Sequence, residues 1–319
     1  MKLLYFRGAV SNFGDELNAH LWQRLLPEGF LDSDERELFL GIGSIIGDHP
    51  SKSARKHVVG SGYGGYTNLP DLNDGTWNIV FVRGPRTAAL LDLPPEKAIG
   101  DGALLLRAID LPAPAPHSGP AYMPHFQSLE RGLWPEACER AGLRMIDPTG
   151  PVQDILAELR SASVLITEAM HGAIVADALR VPWIAVRPIH SQHHSKWLDW
   201  AESLGIELRQ HELRPSSLLE SYVGRTARNT YDWGHGSGRL HQISHSRIAR
   251  PLNQFMIDRA AKRLGEIAQQ EAQLSEDGRL ESATDRAMSA LDAFVRSKGF
   301  GGIAPRAGDR TGQLSPQVS

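Results

Sequence analysis

Val164-Leu-Ile-Thr-Glu-Ala-Met-His-Gly-Ala-Ile-Val-Ala-Asp-Ala-Leu-Arg-Val-Pro-Trp-Ile-Ala-Val186 reads as strand, turn, helix and strand. Val164–Thr167 and Trp183–Val186 are short apolar runs of the kind that fill buried parallel strands. Ala169–Leu179 is a helix of small residues. Such a unit argues for a parallel α/β sheet, whose ligands bind beyond the carboxyl ends of the strands. His171 stands on the turn there. Gly172, Ala173 and Ala176 leave room for close backbone approach, and the helix N-terminus offers unpaired N–H groups to an anion. His171 either moves protons near neutral pH or bonds a neighbouring carbonyl as a cap.

The same grammar extends in both directions. Ala121–Met123 is a strand ending in Pro124-His125-Phe126, so His125 faces the same edge. Leu143–Ile146 is a strand running into Asp147-Pro-Thr-Gly150, and Val152–Ala162 has helical periodicity. Upstream, Lys2–Phe6, Glu37–Leu40, Lys56–Val59 and Trp77–Val82 each run into a glycine-containing turn, with helical patterns at Asp15–Leu26 and Thr87–Leu93. Alternating prolines in Leu111-Pro-Ala-Pro-Ala-Pro-His-Ser-Gly-Pro120 mark a stiff linker. The expected organisation is a domain over 1–112, a linker over 113–120 and a second domain over 121–250. A charged helical extension over 251–298 and a Gly/Pro/Ser-rich, disordered tail over 299–319 follow.

The 319 residues suit two domains. A net charge of −3 argues against a nucleic-acid surface. Cys138, the single cysteine, excludes an internal disulfide and a cysteine zinc site, fits a reducing cytoplasm, and packs on a helix. The first residues lack a signal-peptide pattern, and no window approaches the roughly 20 apolar residues of a membrane span. Gly41-Ile-Gly-Ser44 and Gly60-Ser-Gly-Tyr-Gly-Gly65 lack the context of a dinucleotide fingerprint.

Five segments in order carry a resemblance: Asn12-Phe-Gly-Asp-Glu-Leu-Asn18, Gly41-Ile-Gly-Ser44, Val82-Arg-Gly-Pro-Arg-Thr87, Gly100-Asp-Gly102 and Glu168-Ala-Met-His-Gly-Ala-Ile-Val-Ala-Asp-Ala-Leu-Arg-Val-Pro-Trp183. Over about Leu4 to Ser217 the chain resembles the polysaccharide pyruvyl transferases, particularly the bacterial exopolysaccharide type. The resemblance implies an α/β fold of two Rossmann-like domains facing across a cleft, similar to the GT-B arrangement. It implies transfer of pyruvate from phosphoenolpyruvate to two hydroxyls of one sugar, giving a cyclic ketal and phosphate. The implied partners are phosphoenolpyruvate and a lipid-linked oligosaccharide or exopolysaccharide repeat, with peripheral contact at the inner face of the cell membrane. The family's His-Gly turn falls on His171 and Gly172, and its first-domain arginine segment on Arg83, with Arg86 nearby. Many relatives carry an arginine two residues before the histidine, thought to hold the donor's anionic groups. This chain has Ala169 there, which leaves Arg83, Arg86, Arg187 and Lys196 as substitutes.

The residue types suit that chemistry. An enolpyruvyl donor needs cations for its carboxylate and phosphate. It needs an acid to protonate its methylene carbon, assigned to His171, and a base for the sugar hydroxyl, assigned to Glu168 or His125. Asn12, Gly14, Asp15 and Ser44 are expected at the cleft, with Asp15 also able to cap the first helix. Asp101 reads as a turn former. No metal or cofactor is required; the His190-Ser-Gln-His-His-Ser-Lys196 segment reads as a loop closing over substrate, and Trp197 and Trp200 as helix packing rather than sugar stacking. The competing readings are a GT-B glycosyltransferase using a nucleotide sugar, which predicts nucleotide binding, and a non-enzymatic polysaccharide assembly protein, which predicts that His171 is dispensable.

Overall fold

The computed structural model describes residues 1–116, 119–190, 193–226, 239–244, 246 and 249–304. The centre of the proline linker (117–118), two residues of the histidine loop (191–192) and the tail from 305 lie outside the described residues.

Two parallel sheets organise the chain. The first comprises β1 (Lys2–Leu4), β2 (Glu37–Leu40), β3 (Arg55–Val59) and β4 (Trp77–Phe81), in that spatial order. The second comprises β5 (Gly119–Met123), β6 (Arg144–Met145), β7 (Ala162–Thr167), β8 (Trp183–Val186) and β9 (Gln210–His211), in the order β6-β5-β7-β8-β9. All pairings within both are parallel. The second order reverses at β5, which is the doubly wound pattern with a crevice between β5 and β7. The first sheet runs without reversal, so it differs from the Rossmann order that the resemblance implies. Residues 41–54, between β2 and β3, contain no helix to wind it.

Helices fill the space around both sheets. α1 (Phe13–Leu25) buries Phe13, Leu17, Leu21 and Leu25 at four-residue spacing, and Pro27 follows its end. It starts two residues before the expected Asp15. Asn12 is the N-cap and Asp15 lies inside the first turn, so Asp15 is not the cap. α2 (Pro85–Leu90), α3 (Phe126–Arg131), α4 (Trp134–Ala141) and α5 (Val152–Ser161) follow. Next come α6 (Met170–Ala178), α7 (His194–Ser203), α8 (Leu218–Thr226) and α9 (Arg239–Ser244). α6 is buried along nearly its whole length, as a helix apolar all round must be. Trp197 and Trp200 of α7 are buried and pack against Trp183, and Trp197 also borders the cleft at the sheets' carboxyl ends. Cys138 is buried on α4, and burial pushes its thiol up to about 12.

The charged C-terminal region forms α10 (Arg250–Ala268) and α11 (Asp277–Ser297), not one continuous pattern. The break lets the Gln273 backbone pair with Trp183 of β8. α10 packs on α4, whereas α11 returns to the first half of the chain, against β4 and the 3-10 helix Gly102–Ala108. Phe294 of α11 meets Phe30 edge to face at 5.8 Å. Lys298, just beyond α11, reaches Glu37 of β2 at 2.6 Å. The main apolar core is continuous from Phe39 and Val59 through Leu105 and Ile174 to Trp183. No helix among the described residues is long and apolar enough to cross a membrane.

Candidate active site

A cleft of about 520 Å³ opens where the carboxyl ends of both sheets meet. Tyr5–Arg7 after β1, Gly43–Ile46 after β2, Tyr66 and Thr67 after β3, and Asn12–Asp15 at the start of α1 line one side. His125 after β5, Glu168–His171 after β7, and His193 and Lys196 after β8 line the other. The crevice between β5 and β7 is thus where His125, Glu168 and His171 converge.

His171 occupies the second position of α6, mostly buried. Its imidazole fills the space beside Gly14: a Cβ there would stand 2.6 Å from the ring Cγ and closer still to Nδ1. Its Nε2 lies 3.8 Å from Oδ2 of Asp101. Both atoms are buried and neither has a hydrogen-bond partner among the described residues. The other Asp101 oxygen accepts from the Ala103 N–H (2.9 Å), so the residue caps the 3-10 helix with one oxygen and presents the other to His171. Gly60 (φ +88°) makes this placement possible. A Cβ on it would press into the Gly102 backbone, where the Gly102 N–H donates to the Gly60 carbonyl.

The charged groups of the cleft restrain one another. Burial raises the Asp15 carboxyl above its ordinary range, opposed by the hydrogen bond from Asn12 Nδ2 (2.7 Å) and by the positive fields of His171 and Lys196. Burial, with Arg83 nearby, lowers the Lys196 ammonium to about 7, and Asp15 opposes the shift. Its Nζ sits 4.9 Å over the ring of Tyr66, whose hydroxyl lies 3.0 Å from His193 Nδ1. Burial holds His125 and His193 well below the usual imidazole range, with Lys196 adding to it. Burial also raises Glu168, whose oxygens accept from Ser128 Oγ (3.0 Å), the His125 N–H (3.3 Å) and the Ile189 N–H (3.4 Å).

The structure brings Asn12, Gly14, Asp15, Ser44, His125, Glu168, His171 and Lys196 to the cleft and places four other expected residues elsewhere. Arg83 is fully buried behind the wall. Its Nε donates to Asp199 Oδ2 (3.0 Å), one terminal nitrogen to Ser44 Oγ (2.7 Å) and the other to the Tyr63 carbonyl (3.1 Å). A guanidinium with its donors so engaged ties β4 to α7 and has no open face for a substrate anion. Arg86 forms a two-pronged exposed pair with Glu202 (2.9 and 2.7 Å), and Arg187 faces Glu212 on the surface at 3.5 Å. Gly172 turns inward: a Cβ there would press on Thr167 Oγ1 and Met123 Sδ. Arg7, absent from the sequence-based set, lines the cleft as an exposed cation without a carboxylate partner among the described residues, its guanidinium 4.7 Å over Tyr5. No group of three or more His, Cys, Asp or Glu among the described residues is placed to hold a metal ion.

Residues 12–190, which supply most of this wall, match the sequence profile of the polysaccharide pyruvyl transferase family. The chain belongs to that family. This pyruvyl transferase is also 39% identical over 231 residues to the succinoglycan biosynthesis protein ExoV of Rhizobium meliloti (strain 1021). The match covers 70% of this chain and 71% of that relative. The matched segment of the pyruvyl transferase includes His171, Asp101, Gly14 and Asp15 and ends just before Lys196.

Proposed function

We propose that this pyruvyl transferase moves pyruvate from phosphoenolpyruvate onto two hydroxyls of one sugar in an exopolysaccharide repeat unit, closing a cyclic ketal. The observation that carries the reading is the cleft itself: an imidazole, a carboxylate and a half-buried amine meet at the β5–β7 crevice of a chain from this family. The exopolysaccharide acceptor rests on the likeness to the succinoglycan biosynthesis protein. In the same reading the two sheets are the cores of two units of GT-B type. The acceptor is a repeat carried on lipid at the inner membrane face.

The roles follow from charge and access. Lys196 and Arg7 hold the donor's carboxylate and phosphate, standing in for the arginine that Ala169 replaces. His171 gives a proton to the donor's methylene carbon, leaving the adjacent carbon electrophilic. A sugar hydroxyl adds there and its proton passes to Asp15, which has one oxygen held by Asn12 and the other open to the cleft. The carbon–oxygen bond to phosphate breaks and phosphate departs. The second hydroxyl adds to the same carbon, and its proton leaves with phosphate or solvent. Glu168, with three donors on its oxygens, serves as the anchor joining the turns after β5, β7 and β8 rather than as the base.

Calorimetric titration tests the donor assignment. Phosphoenolpyruvate binds the wild-type protein, and Lys196→Met weakens that binding at least about tenfold, the usual weight of a charge-assisted contact. Binding of a nucleotide sugar with no response to phosphoenolpyruvate would overturn the assignment.

A further inference from the structure

Among the described residues, three helices after the second sheet carry exposed apolar side chains. α10 turns Ile257, Ala260, Leu264 and Ile267 inward. At positions i, i+3, i+7 and i+10 its opposite side carries Leu252, Phe255, Arg259 and Lys262, all exposed. The Arg259 guanidinium lies 5.6 Å over the ring of Phe255. Asn253 ties the neighbouring helices to the first turn of α10. Its Oδ1 accepts from the Leu218 N–H (3.0 Å), and its Nδ2 donates to the Ser244 carbonyl (2.5 Å). Those helices, α8 and α9, add exposed Tyr222 and Ile243. Four of the ten exposed large apolar residues among the described residues therefore fall on these three helices, far above an even scatter.

Among the described residues the unpaired charge on this region is positive. Arg225, Arg250, Arg259 and Lys262 are exposed and have no carboxylate partner among the described residues. The nearby carboxylates Asp258 and Glu266 are already paired, with Arg140 and Arg263. A helix face that combines Leu and Phe with unpaired Arg and Lys suits the plane between lipid headgroups and acyl chains. The apolar side chains enter the interface while the long cationic stems reach the headgroups. A protein that carries a chain-wide charge of −3 gains no general attraction to an anionic surface, so the attraction must be local to such a patch.

We propose that the outer face of α10, with α8 and α9, docks this protein on a membrane surface bearing anionic headgroups. The proposal rests on exposure and charge and does not depend on which reaction the cleft performs.

Co-sedimentation with vesicles of phosphatidylcholine, with and without phosphatidylglycerol, tests it on the full chain. The wild type sediments with phosphatidylglycerol vesicles, and raised salt releases it. Arg259→Gln with Lys262→Gln lowers the partition onto those vesicles about tenfold or more. Leu252→Ser with Phe255→Ser does the same without altering thermal unfolding of the chain. Both double variants keep wild-type affinity for phosphoenolpyruvate, because none of the four residues lines the cleft. Equal, weak sedimentation with both vesicle types would overturn the proposal. So would either double variant binding phosphatidylglycerol vesicles as the wild type does. Concentration-dependent self-association that the Leu252→Ser/Phe255→Ser variant loses, with no vesicle binding by the wild type, would reassign the face to a second copy of the chain.

Discussion

Gly14→Ala is a one-methyl perturbation aimed at His171 from the side. The new Cβ would stand 2.6 Å from the imidazole Cγ and 3.0 Å from its Cβ. Carbon atoms rest at about 3.5–4.0 Å, so the ring must move by about 1 Å. A displacement of that size at a reacting group costs on the order of 100-fold in rate, or about 2.7 kcal/mol of barrier. Folding responds differently. Gly14 is the second residue of α1 and has ordinary helical backbone, where alanine is favoured over glycine by up to about 1 kcal/mol. The variant is therefore expected to melt within a few degrees of the wild type while turnover, followed as phosphate released from phosphoenolpyruvate with acceptor present, falls about 100-fold. Turnover within about threefold of wild type in Gly14→Ala would refute the reasoning.

Other expectations follow from the same geometry. Arg83→Ala leaves the buried Asp199 carboxylate without its cation and is expected to lower unfolding free energy by about 3–5 kcal/mol, whereas Arg86→Ala, on an exposed pair, costs under about 1 kcal/mol; denaturant melts distinguish them. Asp101→Asn keeps the oxygen that caps Ala103 and removes the charge facing His171. Turnover should fall about tenfold or more with the donor KM unchanged, as steady-state kinetics will report, and an unchanged turnover would confine Asp101 to capping. Lys196 binds an anion in its protonated form, which predominates below about 7 in the free protein. Donor affinity is accordingly expected to weaken as pH rises through that value, with proton uptake on binding above it. In Lys196→Met calorimetry that inflection disappears.

Much of the second sheet was legible in the sequence because each strand is a short apolar run closed by a turn residue, and His171 stands at one such closure. The helix bounds shifted by one to three residues, and Asp15 lies inside α1 rather than at its cap. Arg83 was misplaced for a physical reason. A cation between a strand and Gly84-Pro85 looks the same whether it faces solvent, ligand or a buried carboxylate, and its partner Asp199 lies 116 residues away. Arg7 and Asp101 carried weaker signals. Arg7 follows the short first strand without a motif of its own, and the Gly-Asp-Gly turn shows capping but not the second oxygen aimed at His171. The charged composition over 251–298 reads as solvated helix, so the buried face of α11 and its return onto β4 came only from the tertiary packing.

The most direct test of the central claim is mass analysis of an acceptor glycoside incubated with the protein and phosphoenolpyruvate, with phosphate counted in parallel. Pyruvyl transfer at this cleft predicts a product heavier by pyruvate less one water, one phosphate per product, and loss of both in His171→Ala. An acceptor left unmodified across exopolysaccharide repeat units, or full product formation by His171→Ala, would contradict it.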